Sequence, residues 1–297
     1  MVPPGILLVD KPGGLTSHDV VARTRRAFGT RKVGHAGTLD PMATGLLVIG
    51  IEGATRLLTY IVGADKTYTA TIRLGERTTT DDTEGEIIAR ADEAAWSAVT
   101  DEAIAAGIRA LTGAISQVPS SVSAIKVDGR RAYDRVRAGE DVVLAAREVV
   151  VSRFDVVADR AGDGVRDLDV IVDCSSGTYI RALARDLGEA LGVGGHLTAL
   201  RRTRVGGFEV TDAASLDTLA DATLLTPADA ARRVMPILEV TADEARDLRH
   251  GKRLHGQAER LTASEVAAVD PAGELVGILE RRGADIKSAM NMPEVQQ

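Results

Sequence analysis

Residues 66–75 alternate without a break: Tyr68, Ala70, Ile72 and Leu74 fall on one side of an extended chain, Thr67, Thr69, Thr71 and Arg73 on the other. A helix over the same residues would scatter the large side chains around its axis, so this stretch requires a sheet with one apolar face. Apolar runs at 6–9 and 46–51 read as buried strands. Residues 148–157 and 168–174 read as further strands, the last with Leu168, Val170, Val172 and Cys174 on one face. Helical stripes lie between them. Thr16 or Ser17 caps a helix with Val20, Val21, Thr24, Ala27 and Phe28 on one side and Arg23, Arg25 and Arg26 on the other, stopped by Gly29. Residues 54–61 form a second helix, and Thr100 caps a third whose Ile104, Ile108 and Leu111 face inward. Ser175-Ser176-Gly177-Thr178 turns the chain into a fourth, with Ile180, Leu183, Ala184, Leu187 and Leu191 as its stripe and Arg181 and Arg185 standing off it. The acidic stretch 76–92 reads as an exposed hairpin or loop, and the residues after Ser288 as a tail. The architecture expected is α+β: a mixed, mainly antiparallel sheet flanked by helices over residues 1–238, then a small unit over 239–297 with weak strands at 265–269 and 275–279.

Cysteine and charge narrow the chemistry. The single cysteine, Cys174, excludes an intrachain disulfide, and with five histidines in the whole chain a structural zinc site has too few ligands. Cys174 itself, on a strand face, reads as a buried thiol. No P-loop, dinucleotide fingerprint or metal-spaced ligand set occurs, so neither a cofactor nor a metal is expected. The apolar runs are far short of a membrane span, and the N-terminus lacks the features of a signal peptide, which points to a cytoplasmic protein with no membrane partner. The net charge is −7, but the cations are grouped: Arg23, Arg25, Arg26, Arg31 and Lys32; Arg130, Arg131, Arg135 and Arg137; and Arg201, Arg202 and Arg204. Such clusters permit an RNA partner without demanding one.

The segment Gly34-His35-Ala36-Gly37-Thr38-Leu39-Asp40-Pro41-Met42-Ala43-Thr44-Gly45 sets three glycines around one carboxylate. Glycine in that density suits a backbone that approaches a ligand closely or adopts unusual angles. Asp40-Pro41 taken alone is an ordinary helix start. With Leu46-Leu47 added, the segment resembles the signature of the bacterial TruB family, whose members make pseudouridine at position 55 in the T loop of tRNA. Four other stretches agree in order: Leu8-Val9-Asp10-Lys11-Pro12-Gly13-Gly14-Leu15-Thr16-Ser17; Asp65-Lys66-Thr67-Tyr68; Ser123-Ala124-Ile125-Lys126-Val127-Asp128-Gly129 with Tyr133; and Gly177-Thr178-Tyr179-Ile180-Arg181-Ala182-Leu183 through His196 to Leu200-Arg201-Arg202. The resemblance covers about residues 5–208.

The resemblance implies the pseudouridine synthase fold, an insertion at about 116–144 that clamps the T loop, and a PUA-like C-terminal domain that touches the acceptor stem. It implies that Asp40 is the catalytic aspartate, that Arg181 pairs with it and favours its ionised form, and that Tyr68 lies against the target uracil. His35 would fill the stack left by the flipped base. Leu200 would line the base pocket, and Lys11 would support the site or neutralise phosphate. Tyr179 and Arg202, inside the matching stretches, and Arg130 and Arg131, in the insertion, are the remaining RNA-binding candidates. From spacing alone, Arg181 equally suits an exposed residue paired with Asp186 or Glu189, Tyr68 a core tyrosine, and His35 a loop histidine. The implied reaction breaks the ribose–N1 bond, turns the uracil and rejoins it through C5 without redox change. The partner implied is tRNA alone, with no guide RNA, acted on by a monomer. A guide-dependent synthase and a tRNA-folding chaperone are the rivals; the chaperone would need every binding feature but not Asp40.

Overall fold

The protein, seen in a computed structural model that describes residues 2–97, 99–120, 126–127, 130–131, 144–162 and 164–293 (side chains excepted at 126–127 and 130–131), is organised around a nine-stranded sheet. In chain order the elements are β1 (Gly5–Lys11), α1 (Ser17–Phe28), β2 (Val33–Ala36), β3 (Thr44–Ile51), α2 (Leu58–Val62), β4 (Lys66–Leu74), β5 (Glu76–Thr78), β6 (Ile87–Arg90), α3 (Glu93–Ser97), α4 (Asp101–Ala110), β7 (Gly113–Gln117), β8 (Lys126–Val127), β9 (Arg130–Arg131), β10 (Arg147–Gly162), β11 (Val165–Cys174), α5 (Ile180–Ala190), β12 (Gly195–Val205), β13 (Phe208–Glu209), α6 (Pro227–Arg232), β14 (Ile237–Glu239), α7 (Ala242–Arg249), β15 (Val266–Val269), β16 (Leu275–Arg282) and β17 (Asp285–Asn291). The main sheet runs β1-β3-β12-β4-β11-β10-β7, with β2 added to β3 and β13 to β12. Among the described residues its pairings are antiparallel except β3 with β12, so the sheet is mixed and mainly antiparallel, as the sequence predicts.

Strand patterns follow from what covers each face. β4 alternates because only one face is apolar: Tyr68, Ala70, Ile72 and Leu74 share a core with Leu183, Ala184 and Leu187 of α5. On its other face the partners are acids of β11, where Thr67 donates to Asp173 (2.5 Å), Thr71 to Asp169 (2.7 Å), and Arg73 forks onto Asp167 (2.8 Å twice). β1 and β3 do not alternate because both faces are covered. Leu7, Val9, Leu47 and Ile49 pack with Val20 and Val21 of α1, while Ile6, Leu8, Leu46 and Val48 share a cluster with α6 and the second sheet. α1 begins at a capping box, Thr16 with Asp19, and ends at Gly29 in the left-handed conformation.

Three expectations need correction. Residues 54–61 are not one helix: the 3-10 turn Glu52–Leu57 precedes the short α2. Ala27 is exposed, so the α1 stripe is narrower than its spacing suggests. The chain after Ser288 is no tail through its next residues, since β17 pairs with β16 out to Asn291 opposite Gly277, and Met292 is buried. The second sheet, β14-β15-β16-β17, begins at Ile237.

Candidate active site

The strand order puts the Asp40 loop, β4 and the start of α5 around one cleft of about 330 Å³. Its walls include Asp40, Tyr68, Tyr179, Arg181, Leu200 and Arg202. Six of the ten residues proposed from sequence thus share one surface. β12 is the reason: it lies between β3, which follows Asp40, and β4, which carries Tyr68, and it pairs Arg202 with Gly45 on one side and Tyr68 on the other.

Asp40 sits between two anchored neighbours. The Ser17 hydroxyl donates to the Leu39 carbonyl (3.1 Å) and accepts from the Leu39 amide (2.9 Å). Beyond it, the Pro41 carbonyl accepts from the Gly14 amide (2.8 Å) and from Lys11 Nζ (3.3 Å). Lys11 also donates to Pro12 (3.0 Å) and Leu15 (2.7 Å), and it is fully buried. The 11–17 segment is therefore a clamp on the Asp40 loop. This assigns Lys11 the supporting role of its two expected ones; an ammonium enclosed by three carbonyls is not placed to meet a phosphate. Burial pushes its pKa down to about 8, against the pull of the Asp40 and Glu84 charges. Gly45 closes the loop at φ 99°, where a Cβ would stand 2.2 Å from the Arg202 carbonyl oxygen, so no other residue fits.

Arg181 enters from the first turn of α5. Its Nε and Nη2 each lie 3.0 Å from Asp40 Oδ2, and Nη1 donates to the Thr80 carbonyl (2.9 Å). A second acid, Asp82, approaches Nε at 3.4 Å. The Arg181 and Asp82 side chains are 4% and 3% exposed, whereas Asp40 is 37% exposed, so the charge that faces the cleft is Asp40's. The surface pairing with Asp186 that spacing allowed belongs to Arg185 instead (2.8 Å). Asp82 was hidden in a stretch that reads as exposed. Its Oδ1 accepts from the Thr80 hydroxyl (2.6 Å) and the Glu84 amide (3.0 Å), and this local turn is what tucks it under the hairpin. Crowding by Asp82 and Asp40, after burial, raises the Glu84 pKa.

Tyr68 is buried, and burial pushes its phenol up while the Arg202 guanidinium beside it pulls the other way. Arg202 is 1% exposed and donates to the Leu46 carbonyl (2.8 Å) and the Gly37 carbonyl (3.0 Å). It ties the cleft floor together, which corrects the expectation of an RNA-facing cation. Lys66, missed from sequence, lines the same floor, and burial lowers its pKa to about 8. Its ammonium donates to Val62 (3.0 Å) and Ala64 (2.6 Å), the carbonyls that end α2. Tyr179 is held through its backbone, since Gln117 donates to its carbonyl (3.1 Å) and accepts from its amide (2.8 Å). Cys174 is a buried thiol, its pKa pushed up to about 11.

His35 is not among the residues that line this cleft. His35 is half-buried on β2, with its ring against His18. The side chains of Arg130 and Arg131, and most of the 116–144 insertion with Arg135 and Arg137, lie outside the described residues. Of the basic clusters, Arg23, Arg25 and Arg26 stand exposed on α1. Arg201 and Arg204 are instead engaged by Asp10 and Asp65, each at 2.7 Å.

Comparison with known proteins adds to this geometry. Residues 25–180 match the TruB family pseudouridylate synthase N-terminal domain, residues 181–240 the tRNA pseudouridylate synthase B C-terminal domain, and residues 235–293 the C-terminal domain of tRNA pseudouridine synthase II. The tRNA pseudouridine synthase B of Leifsonia xyli is 61% identical over 99% of this chain and 98% of that protein. The protein of the same name from Arthrobacter sp. (strain FB24) is 60% identical over 96% and 95%. Among solved structures, a Cbf5-Nop10-Gar1 complex superposes with a TM-score of 0.68 at 26% identity, covering 93% of this chain and 78% of the other. An H/ACA RNP bound to a substrate RNA containing 2'-deoxyuridine gives 0.70 at 23% identity over 98% and 85%, a likeness of fold.

Proposed function

The chain belongs to the TruB family of pseudouridylate synthases, and on that premise we propose that it isomerises uridine to pseudouridine at position 55 in the T loop of tRNA, with Asp40 as the nucleophile. One observation carries the residue assignment: a half-exposed carboxylate faces a cleft wide enough for a base while a buried guanidinium grips its other side at 3.0 Å. That arrangement aims the carboxylate into the cleft with a fixed cation behind it, as a nucleophile's position requires. In the reaction the Asp40 carboxylate bonds to the substrate, the C1'–N1 bond breaks, the freed uracil turns, C5 bonds to C1', the C5 hydrogen leaves as a proton, N1 takes one up, and the bond to Asp40 breaks to restore the carboxylate. Tyr68 and Leu200 supply the apolar walls against which the ring turns.

The uracil must leave its stack to reach the cleft, at a cost of a few kcal/mol, and His35 would occupy the gap. The insertion would clamp the T loop and the second sheet, as a PUA-like unit, would touch the acceptor stem. The enzyme acts as a cytoplasmic monomer without guide RNA, although the H/ACA complexes share its fold. A tRNA-folding role can coexist with catalysis, because it uses the same binding surface. The test is tritium release from C5-labelled tRNA and from an isolated T-arm hairpin. Asp40→Asn abolishes release while affinity stays within about tenfold of the parent, or about 1.4 kcal/mol; appreciable turnover by this variant would remove Asp40 from the chemistry.

A further inference from the structure

α1 touches the catalytic loop twice, at consecutive residues. Ser17 is bonded through its hydroxyl to both backbone groups of Leu39, next to Asp40. His18, the next residue, is exposed, and its ring meets that of His35 with centroids 5.5 Å apart and planes at 82°. The two contacts reach different parts of the architecture, since Leu39 lies in the loop before β3 and His35 within β2, paired with Ile49. One helical turn therefore fixes the spacing between the nucleophile's loop and the histidine beside it.

We propose that His18 is a positioning residue for His35, holding that imidazole edge-to-face so that its plane is set before it enters the space of the departing base. The reasoning rests on the role given to His35 above. A histidine's χ2 is a broad torsion with little preference of its own, so the ring plane is set by what packs against it. Only planes parallel to the neighbouring bases can stack in the gap. A perpendicular partner ring narrows that range, because edge-to-face contact is favoured over other orientations. His18 is free to serve this way because α1 is capped by Thr16 and Asp19 and tethered by Ser17, so its own ring stands on a fixed base. α1 also shows Arg23 and Arg26 to solvent along the same helix, a surface on which an RNA backbone could lie while the rings act.

The experiment uses the full chain and a T-arm hairpin carrying 2-aminopurine next to the target uridine, whose fluorescence reports unstacking, together with single-turnover rates and KM. His18→Ala should slow both unstacking and turnover by roughly two- to tenfold, the worth of one such ring pair, and leave KM within about twofold. His18→Phe, which keeps a ring edge, should restore most of the rate. In the His35→Ala background, His18→Ala should add nothing. A merely structural role would instead move KM and stability together and would not be rescued by Phe. Parent-like rates for His18→Ala beside an impaired His35→Ala would overturn the proposal alone, as would independent, multiplying effects in the double variant. A parent-like His35→Ala would sink the role of His35, and the proposal with it.

Discussion

Arg181 is shared by two carboxylates of unequal exposure, and that inequality predicts what its loss does. Arg181→Met keeps the length and apolar stem of the side chain but removes the charge. Asp40, 37% exposed, recovers water when its 3.0 Å contacts vanish. Asp82, 3% exposed and 3.4 Å from the former Nε, has no such recourse. Leaving one buried charge without its partner costs about 3–5 kcal/mol, whereas losing an exposed pair costs about 1 kcal/mol or less. The stability of Arg181→Met should therefore fall by about 3–5 kcal/mol in urea denaturation at neutral pH. Asp82→Asn in that background removes the stranded charge and keeps an oxygen for the Thr80 hydroxyl and the Glu84 amide. The double variant should recover about 2 kcal/mol or more, while both variants should lose activity if Asp40 needs its cation. A loss below about 1 kcal/mol for Arg181→Met, or no recovery in the double variant, would show that the Asp82–Arg181 contact is not a buried charge pair.

Gly45→Ala combines a left-handed φ of 99° with a Cβ set 2.2 Å from the Arg202 carbonyl, so it should cost roughly 3 kcal/mol or more; Gly29→Ala, left-handed but open, should cost only about 1 kcal/mol, and equal losses in chemical denaturation would refute the clash. Lys66 titrates near 8 folded and near its ordinary value unfolded, so the unfolded chain binds the extra proton and stability attributable to Lys66 rises with pH from about 8 to about 10.5, by up to about 3 kcal/mol. The gap between the parent and Lys66→Met should move by that amount over the same range, and a constant gap would contradict it. Tyr68→Phe keeps the ring that faces the cleft and should turn over much faster than Tyr68→Leu; equal inactivity in single-turnover assays would assign chemistry to the hydroxyl.

Local periodicity made much of this molecule legible. β4, the caps of α1 and α4, and the turn into α5 all follow from rules that act within a few residues, and the sequence places them well. The resemblance brought Asp40, Tyr68 and Arg181 together, which no local rule could do. What stayed hidden depended on contacts between distant segments. Asp82 lies among acids, and it is Arg181, arriving from α5, that brings a cation to its buried carboxylate. Arg202 stands in the run Arg201-Arg202-Thr203-Arg204, which looks like a surface stripe until β12 is threaded between β3 and β4 and turns that one guanidinium inward. The residues past Ser288 carry little apolar signal, yet the edge of β16 recruits them as a strand.

The cluster that joins Ile6 and Leu8 to Ala267, Val269, Leu275 and Ile278 passes through Ala228, Ala230 and Ala231 of α6, which touches β1, β15 and β16. β1 thus receives part of one of its two covers from segments far later in the chain. Until synthesis reaches β16 that part of the cover is missing, and a nascent or prematurely terminated chain carries a sticky flank there. Deleting the terminal sheet would strip the wall behind β1 along with any RNA contacts it makes, so the two ends of the polypeptide rise and fall in stability as a unit.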